Sequence, residues 1–158
     1  MTPEETSIAE EKIHAVLSHI ENVQRNCNKV GLKLIRSGHI SLGRNLIANG
    51  HIHDNSKFKG IEWEHLFSGS HILADVISHH NTTNAHHPEY WGGIHEMPEL
   101  YVAEMVCDVT ARSQEFGTGI REWIKKEATK KYKFKLTDPV GEQIIKYLDL
   151  LLEKPFEK

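Results

Sequence analysis

The chain has 158 residues, enough for one domain with its own apolar core, and we expect a single domain over 1–158. Its net charge of -3 and 39% hydrophobic content are typical of a soluble globular protein and argue against binding to duplex nucleic acid. The sequence has no apolar run long enough for a membrane span and begins with an acidic segment unlike a secretory signal, so we expect a cytoplasmic protein.

The first part of the chain shows the spacing of amphipathic helices. Apolar residues between Ile13 and Leu34 recur every three or four positions, which predicts a long first helix that ends at Gly38. The stretch SLGRNLIANGHIHD, residues 41–54, predicts a second, shorter helix or helical turn that ends in a His-Asp doublet. No segment shows convincing strand character, so the predicted fold class is all-α.

The rest of the chain continues this helical pattern and brings the expected number of helices to about six. A loop rich in turn formers, residues 81–93, is expected to be ordered because it contains aromatic residues. Further helices are predicted over 73–80, 98–117, 119–132 and 137–152.

Histidine next to aspartate at His53 and Asp54 is the first candidate for metal chemistry. Neighbouring side chains on a helix diverge by about 100°, so this pair can meet one ion only at a helix end or an irregular turn, which Gly50 would permit. Imidazole beside carboxylate suits manganese, iron, cobalt or zinc. In the first helix, His19 flanks the apolar stripe whereas His14 points away from it, so His19 is the candidate ligand.

The ligands available elsewhere are carboxylates rather than thiolates. Cys27 and Cys107 fall on predicted apolar faces without a CxxC pair, and we expect reduced thiols. Asp108 lies beside the buried face of the fourth helix, where an unpaired carboxylate would be costly. Two interpretations of Asp108 stay open, an ion pair with Arg112 four residues later or a bond to metal.

Taken together, these residues resemble a known family. His19, His53-Asp54 and Asp108 follow the H…HD…D order of the HD-domain metal-dependent phosphohydrolases. The stretches HDNSKF, HHNTTNAHHPEYW and MVCDVTARSQEFG look closer still to a small group of HD-like proteins from phages and bacteria. The resemblance covers residues 19–117 and implies an HD-type helical bundle that holds one or two divalent ions, manganese, iron, cobalt or zinc, with magnesium as an alternative.

The resemblance and the spacing also suggest roles for other residues. Lys57, about one turn after Asp54, is expected to bind substrate phosphate, and its alternative is a solvated surface lysine. His80 is a further candidate metal ligand, and the division of metal and phosphate binding among His79, His80, His86 and His87 stays open. The candidate catalytic residues are Asp54, Lys57 and His80; the candidate substrate-binding residues are Lys57, His86, His87, Tyr90 and Arg112, with Glu115 near Asp108.

The expected function is hydrolysis of a phosphate ester, with a nucleotide as the substrate that the resemblance implies. Metal lowers the pKa of bound water, so that hydroxide can attack phosphorus. One alternative is a mixed-valence di-iron oxygenase of the HD fold, although the short spacing between His80 and His86 differs from the ligands of such enzymes. Another is a metal-stapled ligand-binding domain without catalysis, and an open set of histidine and carboxylate ligands favours an enzyme. A homo-oligomer is a further expectation.

Overall fold

Helices account for the regular structure between residues 1 and 155, the part of the chain that this computed structural model describes, and no strand occurs there. The all-α prediction is therefore confirmed. The helices are α1 (Pro3–Arg36), α2 (Ile40–Ile52), α3 (Gly60–Ser68), α4 (Leu73–Thr83), α5 (Glu99–Phe116), α6 (Ile120–Trp123), α7 (Thr129–Lys131) and α8 (Pro139–Leu152). A π-helical turn at Ile124–Ala128 joins α6 to α7, so these three pieces correspond to the predicted helix over 119–132.

The long helix α1 starts at a capping box. The Thr2 hydroxyl accepts a hydrogen bond from the Glu5 backbone N–H, and the Glu5 carboxylate accepts one from the Thr2 N–H. The helix ends just before Gly38, which has a φ of 93°. No helix within residues 1–155 is both long and apolar enough to cross a membrane.

Helix α2 lies unusually close to α1 because glycines form the contact. A Cβ atom on Gly31 would lie 2.6 Å from the Ile47 Cγ1, and one on Gly50 would lie 2.6 Å from the Cys27 Cβ. Gly50 therefore lies inside α2 as a packing residue, and the turn that it was expected to permit falls at His53 and Asp54 instead. The close approach fixes the C-terminal end of α2 against α1.

The apolar core is centred on α5. Val102, Val106 and Ala111 are fully buried on α5, and Tyr147 and Leu148 of α8 are fully buried against this core. The Tyr147 hydroxyl donates a 2.6 Å hydrogen bond to the Glu99 Oε1 at the start of α5. Because one face of α5 is packed into this core, the polar residues on its other face are held in fixed positions.

The buried thiols belong to the same core. Cys27 and Cys107 are free and have no solvent exposure. A hydrogen bond to Cys107, followed by burial, raises the pKa of the Cys27 thiol far above its usual value. Both side chains therefore behave as small apolar groups at the contact between α1 and α5.

The region between α2 and α5 differs from the predicted pattern in two respects. Helix α3 occupies a stretch that the sequence showed only as polar, and α4 continues to Thr83 before the loop begins. On α4, Val76 is buried, whereas Leu73 is 58% exposed and Ile77 is 50% exposed. Leu73, Val76 and Ile77 have helical spacing, but only Val76 is buried, so this face of α4 is largely an open apolar surface.

Candidate metal centre

Seven side chains from five separate parts of the fold converge on one buried place. They are His19 of α1, His53 and Asp54 at the end of α2, His80 at the end of α4, His86 and His87 in the following loop, and Asp108 of α5. Their ligand atoms form overlapping groups in which all atoms lie within 4.8 Å of one another. The structure thus brings together the four residues of the H…HD…D pattern. It adds His80, His86 and His87, three of the four histidines whose roles the sequence left undecided.

The doublet reaches this place because the helix ends at it. His53 is the C-cap of α2, with extended ψ, and Asp54 adopts the left-handed conformation with φ 57° and ψ 23°. A non-glycine residue in this region is uncommon and costs about 1 kcal/mol or more. The reversal of direction lets both neighbouring side chains point inward, as the sequence argument required of a helix end.

One oxygen of Asp54 is the centre of the first half of the cluster. The Asp54 Oδ1 lies 3.4 Å from the His53 Nε2, 3.2 Å from the His80 Nε2 and 3.3 Å from the His86 Nε2. The Asp54 side chain is 4% exposed. Three imidazoles from three segments thus face one carboxylate oxygen. A cation at this place could bind the imidazole nitrogens and the oxygen together, instead of their contacts with one another.

Asp108 faces the other half of the cluster. Its Oδ1 lies 2.9 Å from the His19 Nε2 and 3.7 Å from the His53 Nε2, and its Oδ2 lies 3.7 Å from the His86 Nε2. The alternative ion pair with Arg112 is not formed, because the Arg112 guanidinium lies 3.7 Å from Glu115 instead. Asp108 therefore points into the histidine cluster.

Glutamates hold the outer nitrogen of the imidazoles. Glu115 accepts a 2.8 Å hydrogen bond from the His19 Nδ1, and Glu104 accepts a 3.0 Å bond from the His53 Nδ1. When the N–H of Nδ1 donates a hydrogen bond to a carboxylate in a neutral imidazole, the lone pair of Nε2 is free to bind a metal. This carboxylate–imidazole pairing is typical of the surroundings of a metal site.

The same pairing extends to the remaining helix. Glu62 of α3, which is 4% exposed, accepts a 2.8 Å bond from the His80 Nδ1 and a 3.0 Å bond from the His79 Nδ1. The His86 Nδ1 lies 3.3 Å from the Glu104 Oε1, so Glu104 serves two imidazoles. His79 is 40% exposed and lies behind Glu62 rather than inside the cluster.

Several of the convergent atoms form no hydrogen bond with any described residue. The Nε2 atoms of His53, His86 and His87 and the Oδ1 of Asp54 are buried and have no hydrogen-bond partner among residues 1–155. A buried polar atom without a partner costs about 1–3 kcal/mol. These atoms belong to the overlapping groups around Asp54 and His86, and metal ions bound within those groups would satisfy them.

The ionisation of the cluster follows from its mixed charges. Burial alone would raise the pKa of Asp54, but the imidazoles of His80 and His86 hold that pKa well below its usual value. Burial opposes protonation of His86, yet Asp54 and Glu104 raise its pKa to about 9. Burial and the neighbouring His86 lower the pKa of His87 to about 3, so His87 is a neutral imidazole at pH 7.

The cluster contains enough ligands for two ions. One group consists of Asp54 with His80, His86 and His87, and another consists of Asp54 with His19 and His53. Because Asp54 belongs to both groups, its carboxylate could bridge two neighbouring ions. The buried histidine and aspartate clusters therefore could hold a metal.

Lys57 lies at the edge of the cluster. Its Nζ is 3.8 Å from the Asp54 Oδ2, and its side chain is 25% exposed. Nearby, Asn84 donates a 2.8 Å hydrogen bond to the hydroxyl of Ser56, which ties the loop after α4 to the turn that carries Lys57. Lys57 is thus a partly exposed cation beside the candidate metal ligands.

Two other candidate residues lie further out. Tyr90 is 47% exposed and packs against Trp91, with 5.0 Å between the ring centroids. Arg112 has a half-exposed side chain and lies 6.0 Å from the Phe116 ring. The link between Arg112 and the cluster runs through Glu115, which holds His19.

The chain matches one family model, described as a family of unknown function (DUF5662), over residues 62–151. That segment is more than half of the 158 residues. The chain belongs to this family. The DUF5662 segment contains His80, His86 and Asp108, whereas His19 and the His53-Asp54 doublet precede it. No curated protein and no solved structure matches the chain.

The DUF5662 segment also contains the residues that sequence reasoning missed. Glu62 and Glu104 are among the most buried charged side chains of the described chain, and both hold histidines of the cluster. The signal available in the sequence was the position of Glu104, four residues before Asp108 on the same face of α5. Glu62 lies in a helix that the sequence pattern did not predict, so no comparable signal existed.

Proposed function

We propose that the protein is a metal-dependent phosphohydrolase that cleaves a phosphate ester, with nucleotides as the first substrates to test. The observation that carries the proposal is the set of buried, unpartnered atoms of His53, Asp54, His86 and His87 with the Lys57 ammonium beside it. The resemblance to HD-domain phosphohydrolases supports the same reaction class.

The donor set fits a divalent transition metal. Imidazole nitrogens and carboxylate oxygens suit manganese, iron, cobalt and zinc, and the mixed set is less suited to magnesium. When bound, such an ion lowers the pKa of a coordinated water and polarises a phosphoryl oxygen. His19, His53, Asp54 and Asp108 would hold one ion, and His80, His86 and His87 with Asp54 would hold a second.

The protein's own residues have distinct tasks in this reaction. Glu115 and Glu104 accept hydrogen bonds from the Nδ1 atoms of His19 and His53, so the Nε2 atoms of both imidazoles face inward, where each would bind an ion after losing its proton. Lys57 binds an equatorial oxygen of the phosphoryl group and offsets the charge that builds up on it. Burial of Asp54 keeps bulk water from competing with these interactions.

Metal analysis combined with an activity screen tests the proposal. Purified protein should contain a transition metal, and His53→Ala or Asp54→Ala should remove it, because each variant deletes a shared ligand. The metal-loaded protein should release phosphate or pyrophosphate from at least one nucleoside mono-, di- or triphosphate. His14→Ala is the matched control, since His14 is an exposed histidine on α1. Full metal content in both ligand variants would contradict the proposed centre.

A second candidate function is favoured by the two ligand groups that share Asp54. Two adjacent ions are also what a di-iron oxygenase of the HD fold would need. The two functions differ in their requirements: hydrolysis should proceed without oxygen when manganese or cobalt is supplied. Turnover that strictly requires both iron and oxygen would favour the oxygenase.

A further inference from the structure

An apolar pocket of about 280 Å³ adjoins the candidate metal centre between α1, α3 and α4. Its volume is close to the lower end of the range for small-molecule sites, roughly 300–1,000 Å³. The aliphatic part of its wall consists of Val16, Leu66, Leu73, Val76 and Ile77. The pocket therefore suits a small organic group rather than a polymer.

Two residues connect the pocket with the candidate metal centre. Lys57 and His80 both line it. The Lys57 Nζ lies 3.8 Å and the His80 Nε2 lies 3.2 Å from oxygens of Asp54. A phosphate bound by Lys57 at the metal ligands would thus have its ester oxygen within reach of the pocket.

The aliphatic wall is more exposed than a structural role would require. Leu73 and Ile77 are each at least half exposed on α4, whereas Val76 between them is buried. Apolar side chains that stay open next to a polar cluster are typical of a ligand site.

We propose that this pocket binds the organic group of the substrate and selects phosphomonoesters whose organic group is small and largely apolar. The inference rests on the proposed phosphohydrolase function and narrows its substrates, because a nucleoside with its many polar atoms fits an apolar pocket of this size less well than a small apolar group. Lys57 marks the phosphate end of the site, and Leu73, Val76 and Ile77 mark the apolar end.

Benzyl phosphate and methyl phosphate test the proposal, because their leaving alcohols have similar acidity and differ mainly in the ring. Burial of roughly 100 Å² of apolar surface should favour benzyl phosphate in kcat/KM by roughly 30- to 250-fold. The phosphonate analogues, which cannot be hydrolysed, should show a preference of the same size in calorimetric Kd.

The variant Ile77→Trp fills the pocket from a half-exposed position and should reduce both preferences to less than roughly threefold. Ile40→Trp is the matched control, because Ile40 is 56% exposed at the start of α2, about 20 Å of helix away from His53. It should leave both preferences as in the parent. Metal content and melting temperature establish that each variant is folded.

The outcomes separate the two proposals. If no phosphate ester is hydrolysed but benzylphosphonate binds preferentially and Ile77→Trp removes the preference, the hydrolase proposal fails and the pocket assignment stands. If an active enzyme hydrolyses benzyl phosphate and methyl phosphate with equal kcat/KM, the pocket assignment fails and the hydrolase proposal stands. If light scattering shows a dimer that Ile77→Trp dissociates, and the protein does not prefer the benzyl compounds, the pocket assignment is overturned. The apolar face would then be an interface between copies of the chain.

Discussion

Replacing Glu104 by glutamine tests the role of a carboxylate that contacts candidate metal ligands without being one of the predicted ligands. The Glu104 Oε1 lies 3.0 Å from the His53 Nδ1 and 3.3 Å from the His86 Nδ1, so a single side chain orients two candidate ligands. Loss of such an outer partner typically lowers metal affinity by 10- to 100-fold. At about tenfold for each imidazole, we expect about 100-fold weaker binding, or about 2.7 kcal/mol.

Glutamine should not rescue the contact by accepting in place of glutamate. The second oxygen, Glu104 Oε2, accepts a 3.0 Å hydrogen bond from the Asn49 amide. In Glu104→Gln, one of the two carboxylate oxygens becomes an NH₂ donor, so the remaining oxygen can face the imidazoles only if the Asn49 amide turns over. That oxygen is neutral, so its hydrogen bonds to two imidazoles are weaker than those of a carboxylate.

Competition with a chelator of known affinity measures the metal Kd of the Glu104→Gln variant. The matched control is Glu99→Gln, which changes a glutamate of the same helix that binds Lys146 and Tyr147 instead of the cluster. Metal affinity in the control should equal that of the parent. If Glu104→Gln binds metal within threefold of the parent, Glu104 does not orient the ligands and the reasoning is refuted.

Three further predictions concern a substrate contact, a buried hydrogen bond and a helix contact. Lys57→Met should keep its metal but lose about 2–3 kcal/mol of transition-state stabilisation, roughly 30- to 150-fold in kcat/KM by steady-state kinetics, and unchanged kinetics would make Lys57 a surface lysine. Tyr147→Phe should lower the free energy of unfolding by about 1.5 kcal/mol, because it removes the hydrogen bond to Glu99. That hydrogen bond lowers the pKa of Glu99, so this contribution should be present above the unfolded-state pKa and fade as the pH falls through the lower folded-state value, as denaturant titrations at several pH values would show. Gly50→Ala should cost about 1–2 kcal/mol in denaturation, since its Cβ would meet Cys27, and a variant as stable as the parent would contradict the close contact of α1 and α2.

The sequence was informative where a helical face decided the outcome. Periodicity in α1 separated His19 from His14, and the structure buries the former and exposes the latter. The same reasoning placed Asp108 beside a buried face of α5. These positions were predictable because a helix of 3.6 residues per turn relates local spacing to direction.

Contacts between distant segments could not be predicted in this way. Glu62 lies in a helix that the spacing did not predict, and the burial of Glu62 and Glu104 results from the approach of α4 and α2. Leu73 and Ile77 have the spacing of a core stripe, yet both stay at least half exposed within residues 1–155. Spacing shows which residues share a face, whereas the partner of that face depends on the whole fold.

Helix α5 carries Glu104, Asp108 and Glu115, so the carboxylates that accept hydrogen bonds from the Nδ1 atoms of His53 and His19 belong to one rigid rod. Hydrogen bonds of 2.8 to 3.0 Å are lost when the rod slides by about 1 Å along its axis. A displacement of α5 would therefore release both imidazoles and withdraw Asp108 in the same movement. Exchange of a metal ion that these residues could hold should then be a concerted event. Its rate would be set by how often α5 shifts against α1 and α2, rather than by the strength of any one bond to the ion.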